Sequence, residues 1–273
     1  MPPLPVLLDF DPGHDDAIAL LLALASPEVE LLGLTTTYGN QTLEKTTANA
    51  IRVLELVGRD DVPVAAGAAA PLERELEVAA HVHGESGLDG PALPAARGAP
   101  LSDDAIDFMV ARVDASEQPV TIVATGPLTN VARFLSVHRG EGLARIVVMG
   151  GSIGEGNMTP AAEFNIWADP EAAQRVFSSG LDVTMIGLES SASEGSARVA
   201  RMSLAELQTS VLEDPSLGSE GQRVLAWTRA NMTRRGRWLA RLRGRPTRSR
   251  TTKGTCSGCS SRTRISCSTT API

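Results

Sequence analysis

Cysteine is missing from almost the whole of this sequence. The only three, Cys256, Cys259 and Cys267, lie beyond residue 255, so residues 1–255 can form no disulfide. Long apolar runs are missing too, because no stretch reaches the roughly 20 residues that a membrane-spanning helix needs. No basic segment precedes the first apolar run, as it would in a secretion signal. These absences predict a soluble, cytoplasmic protein.

Acidic residues are absent after Glu220, and basic residues are scarce before it. All 32 Asp and Glu precede residue 221, whereas 13 of the 25 Lys and Arg follow it. An acidic body argues against nucleic acid as the ligand, because phosphate backbones are bound by clustered Lys and Arg. Residues 234–273 are rich in Arg, Ser, Thr and Gly and have neither helix nor strand periodicity. We therefore divide the chain into a body, residues 1–233, and an irregular basic tail, residues 234–273.

The body alternates short apolar runs with helical patterns. Predicted strands cover residues 5–9, 30–37, 62–65, 120–124, 146–149 and 183–186, and predicted helices cover 15–25, 43–57, 105–113, 128–135, 170–177 and 203–232. Such alternation is typical of an α/β fold with a mainly parallel sheet flanked by helices on both faces. Ligands of such sheets bind beyond the carboxyl ends of the strands. Residues 67–100 and 150–169 are long connections without a clear pattern, and such connections are commonly functional.

The turn after the first predicted strand is unusually acidic. It holds four carboxylates, Asp9, Asp11, Asp15 and Asp16, in the segment Asp-Phe-Asp-Pro-Gly-His-Asp-Asp. Such crowding is costly unless a cation is bound, and oxygen ligands select a hard ion, Ca²⁺ or Mg²⁺. In an alternative interpretation the last two are helix caps and the first two a solvated turn. A phosphatase-type Asp-x-Asp loop is a further alternative, but it would require a downstream Ser or Thr, a Lys and more acids.

The acidic segment resembles the hallmark of the inosine-uridine preferring nucleoside hydrolase family. The resemblance continues, in order, through residues 35–42, 81–87, 125–130, 148–151, 163–166 and 169–173, and covers about residues 5–190. It implies the Rossmann-like fold of that family. It also implies hydrolysis of the N-glycosidic bond of ribonucleosides, to ribose and free base, by a water that a bound Ca²⁺ activates. No organic cofactor is implied, and family members tend to form dimers or tetramers.

The resemblance also assigns roles to single residues. It implies that Asp11, Asp16 and the backbone carbonyl of Thr125 are metal ligands, and that Asp11 is also the general base. Substrate-binding roles fall on residues that would contact the ribose or line the pocket: Asp15, Asn40, Met149, Asn157, Glu163 and Asn165. His83 matches a family histidine near the nucleobase and is a catalytic candidate, whereas His81 is expected to be structural. Without the family resemblance, Asn40 would be interpreted as a turn residue, Asn165 as a local helix cap and Met149 as a residue of the hydrophobic core.

The chain departs from the family pattern near its end. Family members carry a late His-Asp-Pro motif whose Asp is a further metal ligand, yet no His follows His138 and no acid follows Glu220. We hypothesise that the tail is a shifted reading frame or a diverged end. The cysteines of the tail lack the fourth ligand of a structural zinc site. The alternative function is therefore a non-catalytic relative that binds ribose or nucleosides without hydrolysing them.

Overall fold

The computed structural model describes residues 2–90 and 93–188. Six strands form one sheet in the order β3-β2-β1-β4-β5-β6, and every neighbouring pair is parallel. Their bounds are β1 (Leu4–Phe10), β2 (Val29–Thr36), β3 (Val64–Ala66), β4 (Val120–Ala124), β5 (Leu143–Met149) and β6 (Val183–Ile186). The predicted α/β class with a parallel sheet is confirmed, and each predicted strand lies where the structure has one.

Helices cover both faces of the sheet, as predicted. The bounds are α1 (His14–Ala25), α2 (Leu43–Leu56), α3 (Ala80–His83), α4 (Ala105–Asp114), α5 (Thr129–His138), α6 (Phe164–Ala168) and α7 (Pro170–Phe177). One buried cluster joins Leu7 to α4, α5 and α7, and a second joins Leu8 and Phe10 to α1 and α2. Side chains alternate across a strand, so β1 contributes to both cores.

The order of the strands reverses at β1. From β1 the chain moves outward through β2 and β3, and then returns to the other side of β1 to build β4, β5 and β6. In open α/β sheets the ligand crevice lies beyond the carboxyl ends of the two strands at such a reversal. Asp9 pairs with Ala124 in the β1–β4 ladder, so Asp11 and Thr125, just past the strand ends, both lie at this crevice.

Two short helices occupy connections for which the sequence predicted no regular structure. Helix α3 has four residues and α6 has five, which is too short for a helical period to be visible. The carboxylate of Glu163 caps α6 by accepting from the backbone N–H groups of Asn165 and Ile166. Glu is not among the preferred N-cap residues, so its sequence gave no start signal.

Several predictions fall elsewhere in the chain. The helix at 203–232, the boundary at 233/234 and the tail with its cysteines lie outside the described residues. Within residues 2–90 and 93–188, no helix is both long and apolar enough to cross a membrane.

Candidate active site

The acidic turn connects β1 to α1 at the crevice. Asp11 is almost completely buried, and two glycines from neighbouring loops pack against its carboxylate. A Cβ added at Gly126 would lie 2.6 Å from Asp11 Oδ1, and one added at Gly39 would collide with Asp11 Oδ2. Gly39 also has a φ of +149°, which disfavours a side chain. Glycine at both positions therefore makes room for the buried carboxylate.

Asn40 joins the two aspartates that were predicted to bind metal. Its backbone N–H donates to Asp11 Oδ2 at 2.7 Å, and its side-chain Nδ2 donates to the Asp11 carbonyl at 2.8 Å and to Asp16 Oδ2 at 2.9 Å. Asp16 Oδ2 also accepts from the Gly13 N–H, and Asp16 Oδ1 accepts from Thr125 Oγ at 2.7 Å. The structure thus brings together Asp11, Asp16, Asn40 and Thr125, whose predicted roles in binding metal and substrate stay predictions.

The carboxylate of Asp11 is electrostatically unsatisfied. Its Oδ1 is buried without a hydrogen-bond partner. Burial, followed by repulsion from Asp16, raises the pKa of Asp11 well above its ordinary value. A cation near Oδ1 would stabilise both carboxylates, and oxygen donors of this kind suit a hard divalent ion. The donor set therefore fits the predicted metal.

The acidic turn does not act as one four-carboxylate cluster. Asp15 is exposed on the first turn of α1, and Asp9 belongs to a separate buried network. Among the residues that the structure describes, no group of three or more His, Cys, Asp or Glu could hold a metal ion. Among the described residues, the candidate metal ligands are therefore the carboxylates of Asp11 and Asp16 and the Thr125 carbonyl.

Asp9 lies beneath the site. Its Oδ1 accepts from Thr35 Oγ at 2.6 Å and from Asn130 Nδ2 at 2.8 Å, while its Oδ2 is buried without a hydrogen-bond partner. Asn130 also bonds to the Thr36 carbonyl and the Ala68 N–H, and so ties β1, β2 and the loop after β3 together. Sequence reasoning grouped Asp9 with the other aspartates and gave Asn130 no role, although Asn130 lies in a block that resembles the family.

The other side of the crevice is formed by the loop after β5. Glu163 Oε2 accepts from the backbone N–H groups of Gly151, Asn165 and Ile166, and burial raises the pKa of its carboxyl. Asn165 Nδ2 donates to the carbonyls of Thr125 at 2.8 Å and Met149 at 3.0 Å. Glu163 and Asn165 are therefore connected to the acidic turn through Thr125, and Met149 is half-buried beside them.

Asn157 does not share this burial. It is exposed on the loop between β5 and α6, where its backbone N–H donates to the Ala162 carbonyl. Its predicted contact with ribose stays a prediction.

His83 is buried against the acidic turn, whereas His81 is exposed. A Cβ added at Gly13 would lie 2.5 Å from His83 Nδ1 and 2.6 Å from Asn40 Nδ2, so both side chains pack onto Gly13. His83 Nδ1 also lies 3.3 Å from His14 Nδ1. Sequence reasoning missed His14, because the variable position of a motif carries no signal of the residue that it will contact.

Comparisons with known proteins show which family the chain is similar to. The family model described as inosine-uridine preferring nucleoside hydrolase matches residues 6–238. Pyrimidine-specific ribonucleoside hydrolases RihA are 59% identical over 188 residues in Salmonella agona (strain SL483) and 57% identical over 188 residues in Shewanella sp. (strain MR-7). These alignments cover 68% of this chain, and 60% and 59% of the relatives.

A solved structure of a plant nucleoside hydrolase, PpNRh1, superposes with a TM-score of 0.65 at 40% identity, covering 69% of this chain and 61% of the plant chain. The matched part of this chain thus spans about three fifths of the length of the curated relatives.

Proposed function

Because this chain belongs to the inosine-uridine preferring nucleoside hydrolase family, we propose that it hydrolyses the N-glycosidic bond of ribonucleosides to ribose and free base. The observation that carries the proposal is the buried, unpartnered Asp11 Oδ1, next to Asp16 and beyond the carboxyl end of β1. The identity to pyrimidine-specific relatives makes uridine and cytidine the proposed substrates.

The family is metal-dependent, and we propose Ca²⁺ as the ion for this chain. The carboxylates of Asp11 and Asp16 and the carbonyl of Thr125 would hold it. When bound, such an ion lowers the pKa of a water molecule and favours the ionised form of both carboxylates. The Asn40 hydrogen bonds to both aspartates would keep these oxygens in place.

The residues of the chain have separable tasks in the reaction. Asp11 takes the proton of the attacking water at Oδ1, where no other donor competes for that oxygen. The exposed Asp15 and the half-buried Asn40 bind ribose hydroxyls. Bond cleavage builds positive charge on the ribosyl ring, and the carboxylate of Glu163 stabilises it.

The remaining pocket residues orient the nucleoside. Both hydrogens of the Asn165 amide are used by backbone carbonyls, so a substrate hydroxyl would meet Asn165 as an acceptor. Asn157 contributes a second amide to the ribose, Met149 forms part of the wall, and His83 lies beside the base. We also propose a cytoplasmic location, a role in purine and pyrimidine salvage, and assembly as a dimer or tetramer.

The test is release of ribose from uridine, cytidine and inosine by the full chain, with Ca²⁺ and with excess EDTA. We expect release with Ca²⁺, fastest for the two pyrimidine nucleosides, and loss of at least about 100-fold in EDTA or in Asp11→Asn, since both remove activation of the water. Asp103→Asn is the matched control, because Asp103 is exposed. If the folded chain binds a nucleoside without releasing ribose, the proposed hydrolysis is wrong and the binding-only alternative holds.

A further inference from the structure

The only tyrosine of the chain, Tyr38, is fully buried. It lies two residues after the end of β2 and leads into the loop that carries Asn40. Its ring belongs to a small apolar cluster with Ala68, Ala168 and the half-buried Phe164. Because the last two residues are the ends of helix α6, the cluster packs the loop of Asn40 against that helix.

The hydroxyl group of Tyr38 begins a chain of buried hydrogen bonds. It lies 3.1 Å from Thr129 Oγ1, and Thr129 donates to Asp169 Oδ2 at 2.7 Å. Because the single hydroxyl proton of Thr129 goes to the carboxylate, Tyr38 must be the donor to Thr129. All three residues are fully buried, so bulk water does not compete for these bonds.

The carboxylate of Asp169 fixes the far end of this chain of hydrogen bonds. Its Oδ1 accepts from the backbone N–H of Ala172 at 2.9 Å and so caps α7, and its Oδ2 also accepts from the backbone N–H of Leu72 at 2.9 Å. Asp169 itself is the residue between α6 and α7. The Tyr38 hydroxyl is therefore tied to the C-terminal end of α6.

These contacts join the two sides of the candidate site. One side is the loop of Asn40, which bonds to Asp11, and the other is α6 with Glu163 and Asn165. The two sides also meet where Asn165 donates to the Thr125 carbonyl, but that carbonyl is a candidate metal ligand. The connection through the tyrosine, in contrast, is made by side chains that have no proposed contact with a ligand.

We propose that Tyr38 is a positioning residue for the binding of ribose. Its hydroxyl, held through Thr129 and Asp169, keeps the loop of Asn40 and helix α6 at the separation that the ribose ring needs. The inference deepens the proposed function, on which the identity of the ligand rests. Tyr38 contacts neither proposed ligand, so it acts only through the residues that it joins.

The two proposed ligands depend differently on this separation. A Ca²⁺ ion at Asp11 and Asp16 would lie on the side of the acidic turn, whereas a ribose ring would reach from Asn40 to Glu163. Loss of the Tyr38 hydroxyl should therefore weaken the binding of ribose and leave the binding of Ca²⁺ unchanged. A general loosening of the fold would weaken the binding of both.

Calorimetry with Ca²⁺, and ligand-observed NMR with D-ribose in saturating Ca²⁺, measure the two affinities in the full chain. Tyr38→Phe and Thr129→Val each remove one hydroxyl and keep the shape of the side chain. In both we expect the Kd for D-ribose to rise about five- to tenfold, as for loss of one hydrogen bond, and the Kd for Ca²⁺ to change less than about twofold. Thr129→Ser keeps the hydroxyl and should restore the affinity for D-ribose.

Three results would overturn the proposal. They are an unchanged Kd for D-ribose in Tyr38→Phe, a parallel rise of both Kd values, and no binding of D-ribose by the folded, Ca²⁺-loaded unmodified chain. The double variant of Tyr38→Phe and Thr129→Val should bind D-ribose about as weakly as either single variant, since both break the same connection. Additive losses would contradict that connection.

Thr47→Val is the matched control. Thr47 is also buried, and its hydroxyl oxygen lies 2.7 Å from that of Thr36 at the end of β2. The substitution removes a buried hydrogen bond between α2 and β2, so it should lower stability in urea as Thr129→Val does and leave both affinities unchanged. An equal loss of affinity for D-ribose in Thr47→Val would contradict the role of Tyr38.

Kinetics separate this inference from the proposed function. If the chain hydrolyses uridine, kcat/KM at saturating Ca²⁺ should fall at least about fivefold in Tyr38→Phe and in Thr129→Val, and recover in Thr129→Ser. If the unmodified chain binds D-ribose and hydrolyses no nucleoside, the proposed function fails. The affinities of the variants for D-ribose then still decide whether Tyr38 positions the two sides of the site.

Discussion

Two aspartates on either side of Phe10 have different physical tasks. The carboxylate of Asp11 is packed between Gly39 and Gly126, has one oxygen without a hydrogen-bond partner and lies near Asp16. This arrangement is suited to a cation site. Asp9 receives two side-chain hydrogen bonds on one oxygen and lies fully buried in the sheet. Burial raises the pKa of Asp9 to about 6, although the hydrogen bonds from Asn130 and Thr35 oppose the shift. Asp9 therefore supports the turn at a cost in stability near neutral pH.

Asp9→Asn should make the folded chain more stable at neutral pH. The pKa of Asp9 is higher in the folded chain than the unfolded value of 3.8, so folding binds a proton between about pH 4 and 6. Its contribution to stability is present below pH 4 and is lost as pH rises through 6, by roughly 3 kcal/mol. In urea unfolding with EDTA, the stability of Asp9→Asn relative to the unmodified chain should therefore increase across this window and level off above it.

Asp103→Asn, at an exposed position, is the control for this pH series. A stability difference for Asp9→Asn that does not change between pH 4 and 7 would show that Asp9 is not buried as a charged group.

At the residue level, the sequence predicted the types of groups better than their pairing. The resemblance of the acidic motif to the family implied that Asp11 and Asp16 are metal ligands. It could not show that Asp9 bonds to Asn130, which is 121 positions away. Nor could it show that His14 meets His83. Such pairs depend on which loops the sheet brings together, and a local pattern does not contain that information.

One side of α2 holds the turn after His83. Gln41, just before the helix, and Lys45 and Asn49 within it are four positions apart, so their side chains line up along one side. They donate to three successive carbonyls, those of Gly84, Glu85 and Ser86. Asn49 also donates to the Pro12 carbonyl of the acidic turn. Helix α2 thereby links the two segments that carry Asp11 and His83.

Asn49→Ala should destabilise the chain more than Lys45→Ala does. Asn49 is fully buried, and its removal leaves two carbonyls without their side-chain donor, at a cost of about 1–3 kcal/mol. Lys45 is partly exposed, so water can replace its contact and the cost should stay below about 1 kcal/mol. Urea unfolding of both variants measures the difference, and equal losses would show that the turn does not depend on Asn49.

The regular elements were the most predictable part of the fold. Strands β4 and β6 and helix α7 have the bounds that their apolar patterns predicted, and Asp169 followed by Pro170 is a recognisable helix start. The order of the strands was not predicted, because parallel strands in either neighbouring position present the same apolar pattern. Helices α3 and α6 are too short for any periodic signal, and loop contacts hold them in place.

At the scale of the whole molecule, the reversal of strand order at β1 decides where chemistry can occur. It places the ends of β1 and β4 side by side, so the acidic turn and Thr125 meet although they are more than 100 positions apart. Without a bound cation, the buried acidic site should lower the stability of the fold, because the carboxylates of Asp11 and Asp16 repel each other in a medium that screens them poorly. A bound cation would reverse the sign of that contribution.

Thermal unfolding of the full chain should therefore show a crossing between the unmodified chain and Asp11→Asn. In EDTA we expect Asp11→Asn to melt higher, since it removes a buried charge while its amide oxygen can still accept from the Asn40 N–H. In saturating Ca²⁺ we expect the unmodified chain to melt higher, because a ligand at about 100 times its Kd adds roughly 2.7 kcal/mol, or several degrees. Asp103→Asn should follow the unmodified chain in both conditions, and an equal Ca²⁺ shift in Asp11→Asn would place the ion away from this turn.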